Sequence, residues 1–359
     1  MFDKVNNSIE DSSTLPSFFY AKRSVFEKCI ERIFINSWQI ITEKASVEND
    51  MDAYPFELIE KSLSEPLYIV NNNGTYHCYS NVCTHRGNII LDDPRNIRNG
   101  LVCGYHGKRF DHMGKFLSMP ESSGMKNFPC EKDNLSEISC DSWRQFIFTS
   151  INPNFSLTNL LKDVDDRVGW MPIEDFKFRE DLSKQYYLDV NWALYCDNYL
   201  EGFHIPFIHK ELSAALDYAS YDVEIFDYSN LQIGYGEKIE DCFDLPENSP
   251  EYGKKVAAYY FWMFPNIMMN FYPWGLSLNI ISPVDFNKTK IEFKTYVWKE
   301  NLLNKGAGAD VNKVELEDQE IIKRVQKGVN SRLYKEGRFS PRMEKGVHHF
   351  HNLIKKFMS

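Results

Sequence analysis

The sequence has no excess of basic residues and no long apolar run, which limits the partners it can have. Of its 359 residues, 51 are acidic and 41 are lysine or arginine, so the formal net charge is −10. Nucleic-acid binding depends on clustered basic residues, so this balance argues against a nucleic-acid partner. The longest apolar run, Val256–Phe264, is too short to cross a bilayer and is followed by Pro265. We therefore expect no membrane span.

The N-terminal residues also lack the patterns of a targeting segment. The stretch MFDKVNNSIEDSSTLP has no basic start, no apolar core and no arginine-rich amphipathic pattern. We therefore expect a cytoplasmic protein. In a reducing cytosol the eight cysteines are expected to be free or metal-bound rather than paired in disulfides.

The pattern of apolar residues changes twice along the chain and predicts an α+β protein. Apolar residues at helical spacing between Val25 and Phe34 predict a helical leader over 1–37. Short apolar runs separated by Asn, Gly, Pro and Asp predict a small all-β domain over 38–151. From 152 to 359, alternating stretches such as Ile291–Val297 predict long strands, and these are interspersed with helices.

A paired Cys/His motif lies in the predicted all-β domain. Cys83-Thr-His85 and Cys103-Gly-Tyr-His106 each supply one thiol and one imidazole, with 17 residues between the two halves. Such a set can hold a tetrahedral zinc ion or a [2Fe–2S] cluster in which two histidines ligate one iron. Gly87, Gly104 and Gly107 beside the ligands allow the tight turns that cluster loops require. We favour the cluster and keep a structural zinc as the alternative.

A second group of chemically useful side chains follows about one hundred residues later. Asp197, Glu201 and His204 stand at i, i+4 and i+7, which predicts one shared face on a helix that ends near Pro206. His209 can then fold back from the next turn. Two imidazoles and one carboxylate are the ligands of an open non-haem iron site.

The third ligand is expected on a helix at about Asn312–Lys327. There Asp318 lies within an apolar stripe, where a carboxylate is costly unless it is paired or metal-bound. The stripe consists of Val314, Ile322, Val325 and Val329. The off-stripe acids Glu315, Glu317 and Glu320 are interpreted as a solvated face. The alternative for Asp318 is an ordinary acidic residue near a helix N-terminus.

Both groups of residues, in this order, resemble the α-subunits of Rieske ring-hydroxylating oxygenases. Within that family, Cys196–Lys210 is similar to the branch of choline monooxygenase and of glycine betaine and carnitine oxygenases. Three shorter stretches share this similarity: Val325–Gly328, Gly337–Pro341 and Val347–His351.

The resemblance implies a fold and two cofactors. The fold would be a small all-β Rieske domain over 38–151 followed by a helix-grip catalytic domain over 152–359, with the leader 1–37 packed on the catalytic domain. A [2Fe–2S] cluster would bind Cys83, His85, Cys103 and His106. A mononuclear Fe(II) would bind His204, His209 and Asp318.

It also implies partners and an assembly. Electrons would come from a separate NAD(P)H-dependent flavin/iron–sulfur reductase, since the chain lacks a dinucleotide fingerprint. In a head-to-tail homotrimer, Glu201 would link His106 of one subunit to His204 of its neighbour, with Asp197 as the next candidate. Asn198 is the further catalytic candidate in this stretch.

The expected reaction is O₂-dependent hydroxylation of a carbon attached to a quaternary or methylated nitrogen. Cation–π contacts would recognise such a substrate. The candidate aromatic residues are Phe203, Phe207, Tyr259, Tyr260, Phe261, Trp262, Phe271, Tyr272 and Trp274. The alternatives are an aromatic-ring dioxygenase, a Rieske electron carrier without chemistry of its own, and a zinc-stabilised binding module.

Overall fold

The chain folds as two compact units in a computed structural model that describes residues 2–209, 222–236, 238–308 and 311–359. The small unit comprises Phe34–Leu157, and the large unit comprises the chain up to Ile33 together with Thr158–Ser359. The predicted α+β class is confirmed, because the small unit is built from strands and the large one combines a sheet with helices. None of the helices in the described ranges combines the length and apolar character that a bilayer span requires.

The small unit contains an antiparallel sheet in the order β1-β10-β9-β4-β3-β2-β5 and a second sheet in the order β6-β7-β8. The runs Leu67–Val70 and Phe146–Thr149, from which strands were predicted, lie in β3 and β10 and are fully buried. The strands are β1 (Gln39–Glu43), β2 (Asp52–Leu58), β3 (Glu65–Asn72), β4 (Thr75–Ser80), β5 (Arg95–Asn96), β6 (Leu101–Val102), β7 (Arg109–Phe110), β8 (Phe116–Ser118), β9 (Glu137–Trp143) and β10 (Phe146–Ser150).

The large unit is organised around an antiparallel sheet in the order β11-β17-β16-β15-β14-β13-β12. Its central strands are buried on both faces, as their continuous apolar sequences require. The strands are β11 (Lys177–Leu188), β12 (Asp222–Ile225), β13 (Ser229–Tyr235), β14 (Val256–Met263), β15 (Ile267–Tyr272), β16 (Gly275–Asp285) and β17 (Lys288–Val297).

Helices accompany this sheet, and the N-terminal segment packs among them. The N–H of Thr14 donates to the carbonyl of Gly337 (3.1 Å), and the N–H of Leu15 donates to Nδ1 of His351 (3.0 Å). The helices are α1 (Ser17–Ala21), α2 (Arg23–Cys29), α3 (Leu157–Val168), α4 (Trp192–Tyr199), α5 (Ile205–Ile208), α6 (Val311–Val329) and α7 (Lys345–Met358). A π-helical turn, Ile30–Phe34, extends α2.

Candidate metal centres

Two loops of the small unit share one backbone geometry and carry the Cys/His motif. In each loop the cysteine N–H donates to the carbonyl five residues later, at 2.8 Å for both Cys83 and Cys103. The N–H groups of Gly87 and Gly107 donate back to these cysteines' carbonyls at 2.9 and 3.0 Å. Both glycines have φ near +70°, where a side chain would be strained. The tight turns predicted at Gly87 and Gly107 are therefore present.

The histidines of these loops present unused nitrogen atoms to one another. The ring centroids of His85 and His106 are 4.6 Å apart, and Nδ1 of each ring is buried with no hydrogen-bond partner in the described chain. Buried polar atoms are normally satisfied, so two unpartnered nitrogens at one place fit a bound group. The thiols of Cys83 and Cys103 are buried beside them. The donor set therefore fits a [2Fe–2S] cluster with two histidine and two cysteine ligands.

The spacing of these donors distinguishes a cluster from a single zinc ion. Zinc bonds of about 2.0–2.3 Å would bring all four ligand atoms close together. Among the described residues, three donor atoms come within 4.8 Å of one another only at His204, His209 and Asp318. The wider spacing of the Cys/His set fits ligands shared between two irons better than a lone zinc.

The environment of Cys103 favours a thiolate. Burial raises the pKa of this thiol, but hydrogen bonds from the backbone N–H of Tyr105 and from Cys83 outweigh burial, and the net pKa is lowered. The thiolate is the form that ligates metal.

The second centre brings His204, His209 and Asp318 together in the large unit. Oδ1 of Asp318 lies 3.0 Å from Nε2 of His209 and 3.5 Å from Nε2 of His204. Asn198 at the end of α4 donates from Nδ2 to the same oxygen (2.8 Å). Two imidazoles and one carboxylate could hold a divalent metal such as Fe(II) and leave positions open for other ligands.

Each histidine of this centre is also bonded to a second carboxylate. Glu201 contacts Nδ1 of His204 at 2.7 Å, and Glu317 contacts Nδ1 of His209 at 2.7 Å. Such bonds fix the tautomer and direct Nε2 towards the metal position. Glu317, predicted for the solvated face, is partly exposed, but its carboxylate also bonds to His209, which the sequence did not predict.

The helix predicted to carry Asp197, Glu201 and His204 on one face is shorter than expected. α4 ends at Tyr199, and His204 only precedes the separate short helix α5. Pro206 does not end a helix, because it occupies the first turn of α5, where no N–H donor is needed. Glu201 and His204 therefore meet through a turn, in which Glu201 also accepts the N–H of His204 (3.1 Å).

A cavity of about 120 Å³ adjoins the three-residue centre. One side of the cavity is formed by side chains on one face of the large sheet. Tyr260 pairs in register with Gln232 and Asn270, and all three line the cavity. The other lining side chains include Asn198, Glu201, Tyr195, Tyr199, Tyr272, Asn279, Phe293 and Glu315. The described lining residues include no Lys or Arg.

Glu315 is a further correction to the predicted solvated face. Its side chain is 5% exposed, whereas Glu320 on the same helix is exposed as predicted. Burial raises the pKa of Glu315 to about 8, against hydrogen bonds from Tyr195 and Gln319 that lower it. Val325, predicted for the apolar stripe, is 43% exposed.

Other predicted residues lie elsewhere. Asp197 does not line the cavity, since its carboxylate accepts the hydroxyl of Tyr20 (2.7 Å) and contacts Nε2 of His351 (2.9 Å). Of the nine candidate aromatic residues, Tyr260 and Tyr272 line the cavity, with ring centroids 5.9 Å apart and planes at 81°. The sequence interpretation missed three lining amides of the sheet, Gln232, Asn270 and Asn279, of which Gln232 and Asn270 pair with Tyr260.

Comparisons with known proteins agree with this geometry. Residues 37–129 match the Rieske [2Fe–2S] domain, and residues 174–359 match the ring hydroxylating alpha subunit (catalytic domain). The chain is 27% identical to chloroplastic choline monooxygenase of Arabidopsis thaliana, covering 96% of this chain and 83% of that protein. It is 26% identical to the carnitine monooxygenase oxygenase subunit of Escherichia coli K12, covering 96% and 94%.

Solved structures show the same fold. A quaternary ammonium Rieske monooxygenase in complex with L-carnitine superposes with a TM-score of 0.76 at 21% identity, over 100% of this chain and 99% of that one. Naphthalene 1,2-dioxygenase with indole bound superposes with a TM-score of 0.70 at 16% identity, over 99% and 95%. The chain therefore belongs to the ring hydroxylating alpha subunit family, as an oxidoreductase with a Rieske [2Fe–2S] cluster and a mononuclear iron.

Proposed function

We propose that the protein is a terminal monooxygenase that hydroxylates a methyl carbon on, or a methylene carbon close to, a quaternary or highly methylated nitrogen. One oxygen atom of O₂ enters the C–H bond, and the other leaves as water after two electrons and two protons are supplied. Choline would give the hydrate of its aldehyde, whereas a betaine would give a hydroxymethyl amine that releases formaldehyde. The observation that carries this proposal is the pair of perpendicular rings, Tyr260 and Tyr272, in the cavity beside the three-residue centre.

Aromatic faces attract cations, so two rings at right angles suit a rounded methylated ammonium group. The paired aromatic faces thus favour a methylated cation over the neutral arene of the aromatic-ring dioxygenase alternative. Two relatives of the chain, choline monooxygenase and carnitine monooxygenase, support the same conclusion.

We assign the ligands from the donor geometry. Cys83, His85, Cys103 and His106 hold the cluster, and His204, His209 and Asp318 hold the mononuclear iron. The cluster supplies electrons from a separate NAD(P)H-dependent reductase, and the iron supplies O₂ activation. Asn198 then acts by holding Oδ1 of Asp318 in position. A Rieske electron carrier would not need this second centre or its cavity.

Glu201 is assigned to electron transfer between subunits of a homotrimer. Its carboxylate is already bonded to Nδ1 of His204. In the proposed assembly it also receives a hydrogen bond from His106 of the neighbouring subunit. Glu201→Gln should keep three irons per chain but slow the re-oxidation of the reduced cluster by O₂ and substrate. Re-oxidation at the wild-type rate would show that electrons take another route.

The ligand assignment is tested by counting iron. Asp318→Ala should reduce the iron content from three to two per chain and leave the visible spectrum of the cluster intact. Glu320→Gln removes an exposed carboxylate of the same helix and should retain three irons. An unchanged iron content in Asp318→Ala would contradict the assignment.

The reaction is tested by coupling O₂ uptake to product formation with a reductase and NADH. Choline, glycine betaine, carnitine and naphthalene are supplied in turn. Aldehyde or formaldehyde in proportion to O₂ consumed supports the proposal. A cis-diol from naphthalene, without turnover of any methylated amine, would instead identify a ring dioxygenase.

A further inference from the structure

Glu315 is a buried carboxylate in the wall of the cavity. It lies one helical turn before Asp318 on α6, so both side chains point to the same side of the helix. Oε1 of Glu315 accepts a hydrogen bond from Nε2 of Gln319 at 2.9 Å, and Oε2 accepts the hydroxyl of Tyr195. With its pKa raised to about 8 by burial, Glu315 is largely protonated while the cavity is empty, and a cation beside it would favour the ionised form.

Apart from the iron that Asp318 is assigned to bind, the described surroundings supply no cation for this group. The hydrogen-bond partners of Glu315 are uncharged, and no Lys or Arg occurs among the described cavity-lining residues. Burying a carboxylate without a cation is costly, and a positively charged ligand in the cavity would offset that cost. The other acidic side chains at the cavity already have partners, since Glu201 bonds to His204 and Asp318 bonds to His209.

We propose that Glu315 is the counter-ion for the cationic nitrogen of the substrate and that the cavity therefore selects a carboxylate-free ammonium alcohol over a zwitterionic betaine. This inference rests on the proposed function. The aromatic rings of Tyr260 and Tyr272 and the carboxylate of Glu315 all face one cavity, so a methylated ammonium group can contact both kinds of partner.

The same wall disfavours a substrate that carries its own carboxylate. Such a carboxylate would enter a cavity with Glu315 and Glu201 in its wall and no described basic residue to pair with it, so the iron would be its remaining partner, at a position that the reaction keeps open for O₂. A hydroxyl, in contrast, can exchange hydrogen bonds with the neutral amides of Asn270 and Asn279. Choline has the required cation and a neutral polar tail, whereas glycine betaine and carnitine are zwitterions.

The test compares choline with its uncharged isostere 3,3-dimethylbutan-1-ol, in which carbon replaces the nitrogen. Binding to the iron-loaded, anaerobic enzyme is measured by calorimetry, and kcat/KM is measured with reductase and NADH. The wild-type enzyme should prefer choline over the isostere by at least about tenfold, the scale of one desolvated charge pair. Glu315→Gln should remove most of this preference in both measurements.

Control variants separate a charge effect from a packing effect. Glu315→Asp keeps the charge and should keep the preference for choline. Glu320→Gln removes an exposed carboxylate from the same helix and should behave as the wild type. Iron content and the cluster spectrum, measured on every variant, identify any loss of structure.

Two outcomes would overturn the inference. Equal weakening of choline and of the isostere in Glu315→Gln would show that Glu315 supports the fold of the cavity rather than the charge of the substrate. A wild-type preference for glycine betaine or carnitine over choline would contradict the selection. Failure of the proposed function looks different, because the wild-type enzyme would then turn over no methylated amine at all.

Discussion

A buried hydrogen-bond network joins the N-terminal segment to the helix that precedes the iron site. Tyr20 of α1 donates its hydroxyl to Oδ2 of Asp197 in α4 (2.7 Å), and His351 of α7 contacts Oδ1 of the same residue (2.9 Å). The N–H of Leu15 donates to Nδ1 of His351, so Nε2 carries the proton that points at Asp197. Burial, together with Asp197, raises the pKa of Tyr20, which keeps its hydroxyl a donor.

The cost of breaking this network follows from the kinds of bond it contains. Tyr20→Phe removes one hydrogen bond to a charged group, worth about 2 kcal/mol. For a unit of this size about 1 kcal/mol corresponds to roughly 2–4 °C, so Tm should fall by roughly 4–8 °C. Asp197→Ala strips the partner from both Tyr20 and His351 and should cost about 4 kcal/mol. In that background Tyr20→Phe should cost almost nothing, which gives a coupling of about 2 kcal/mol.

The assay is a double-mutant cycle, in which thermal unfolding is measured for the wild type, Tyr20→Phe, Asp197→Ala and the double variant. The four proteins are compared at equal iron content, because bound metal itself raises Tm. Tyr252→Phe is the matched control, since Tyr252 is 57% exposed and loses a hydroxyl that faces solvent. If Tyr20→Phe has the same Tm as the Tyr252→Phe control, the network does not stabilise the unit as argued. The same conclusion follows if the effects of Tyr20→Phe and Asp197→Ala on the free energy of unfolding are additive.

Three further outcomes follow from single sites. Asn198→Ala frees Oδ1 of Asp318, so we expect about 10–100-fold weaker retention of the mononuclear iron against a chelator. The ammonium of Lys108 is only 1% exposed and lies 2.9 Å from Asp133, so Asp133→Ala leaves it without its partner. The free energy of unfolding should fall by about 3–5 kcal/mol, and the cluster absorbance should be lost at a lower temperature. Burial lowers the pKa of His349 to about 4, below the value of about 6.5 for a free histidine. The unfolded chain therefore binds the proton more readily than the folded one. The free energy of unfolding is unaffected by His349 above about pH 6.5 and falls by up to about 1.4 kcal/mol per pH unit towards pH 4. His349→Gln should flatten that pH profile of unfolding.

The donor residues could be predicted because they lie in short local patterns. Cys83 and His85 sit within one turn, as do Cys103 and His106, so sequence spacing alone limits their geometry. Asp318 was found because an acidic residue in an apolar stripe requires a partner.

The cavity wall could not be predicted in the same way. β14 is apolar along its whole sequence, so neither composition nor alternation distinguishes Tyr260, which lines the cavity, from Tyr259, which does not. Which face of a doubly buried strand meets the site is decided by the helices that cover it, and these come from distant sequence. Glu315 was missed for a related reason. A helix face about 100° wide includes the residue one turn before Asp318, so an acidic residue outside the narrow stripe can still point inwards.

The carboxylates at the iron site link ligand orientation to the kind of substrate that the cavity can accept. Glu201 and Glu317 hold Nδ1 of the two histidines, and Asp318 contacts Nε2 of both. At the iron site itself, the charge of Asp318 is offset by the Fe(II) that it is assigned to bind, and Glu201 and Glu317 are bonded to the histidines. Glu315 differs from these carboxylates, because it bonds to Tyr195 and Gln319 and faces the cavity. A neutral arene would gain nothing from that carboxylate, whereas a cation would be stabilised by it, most strongly where water is excluded.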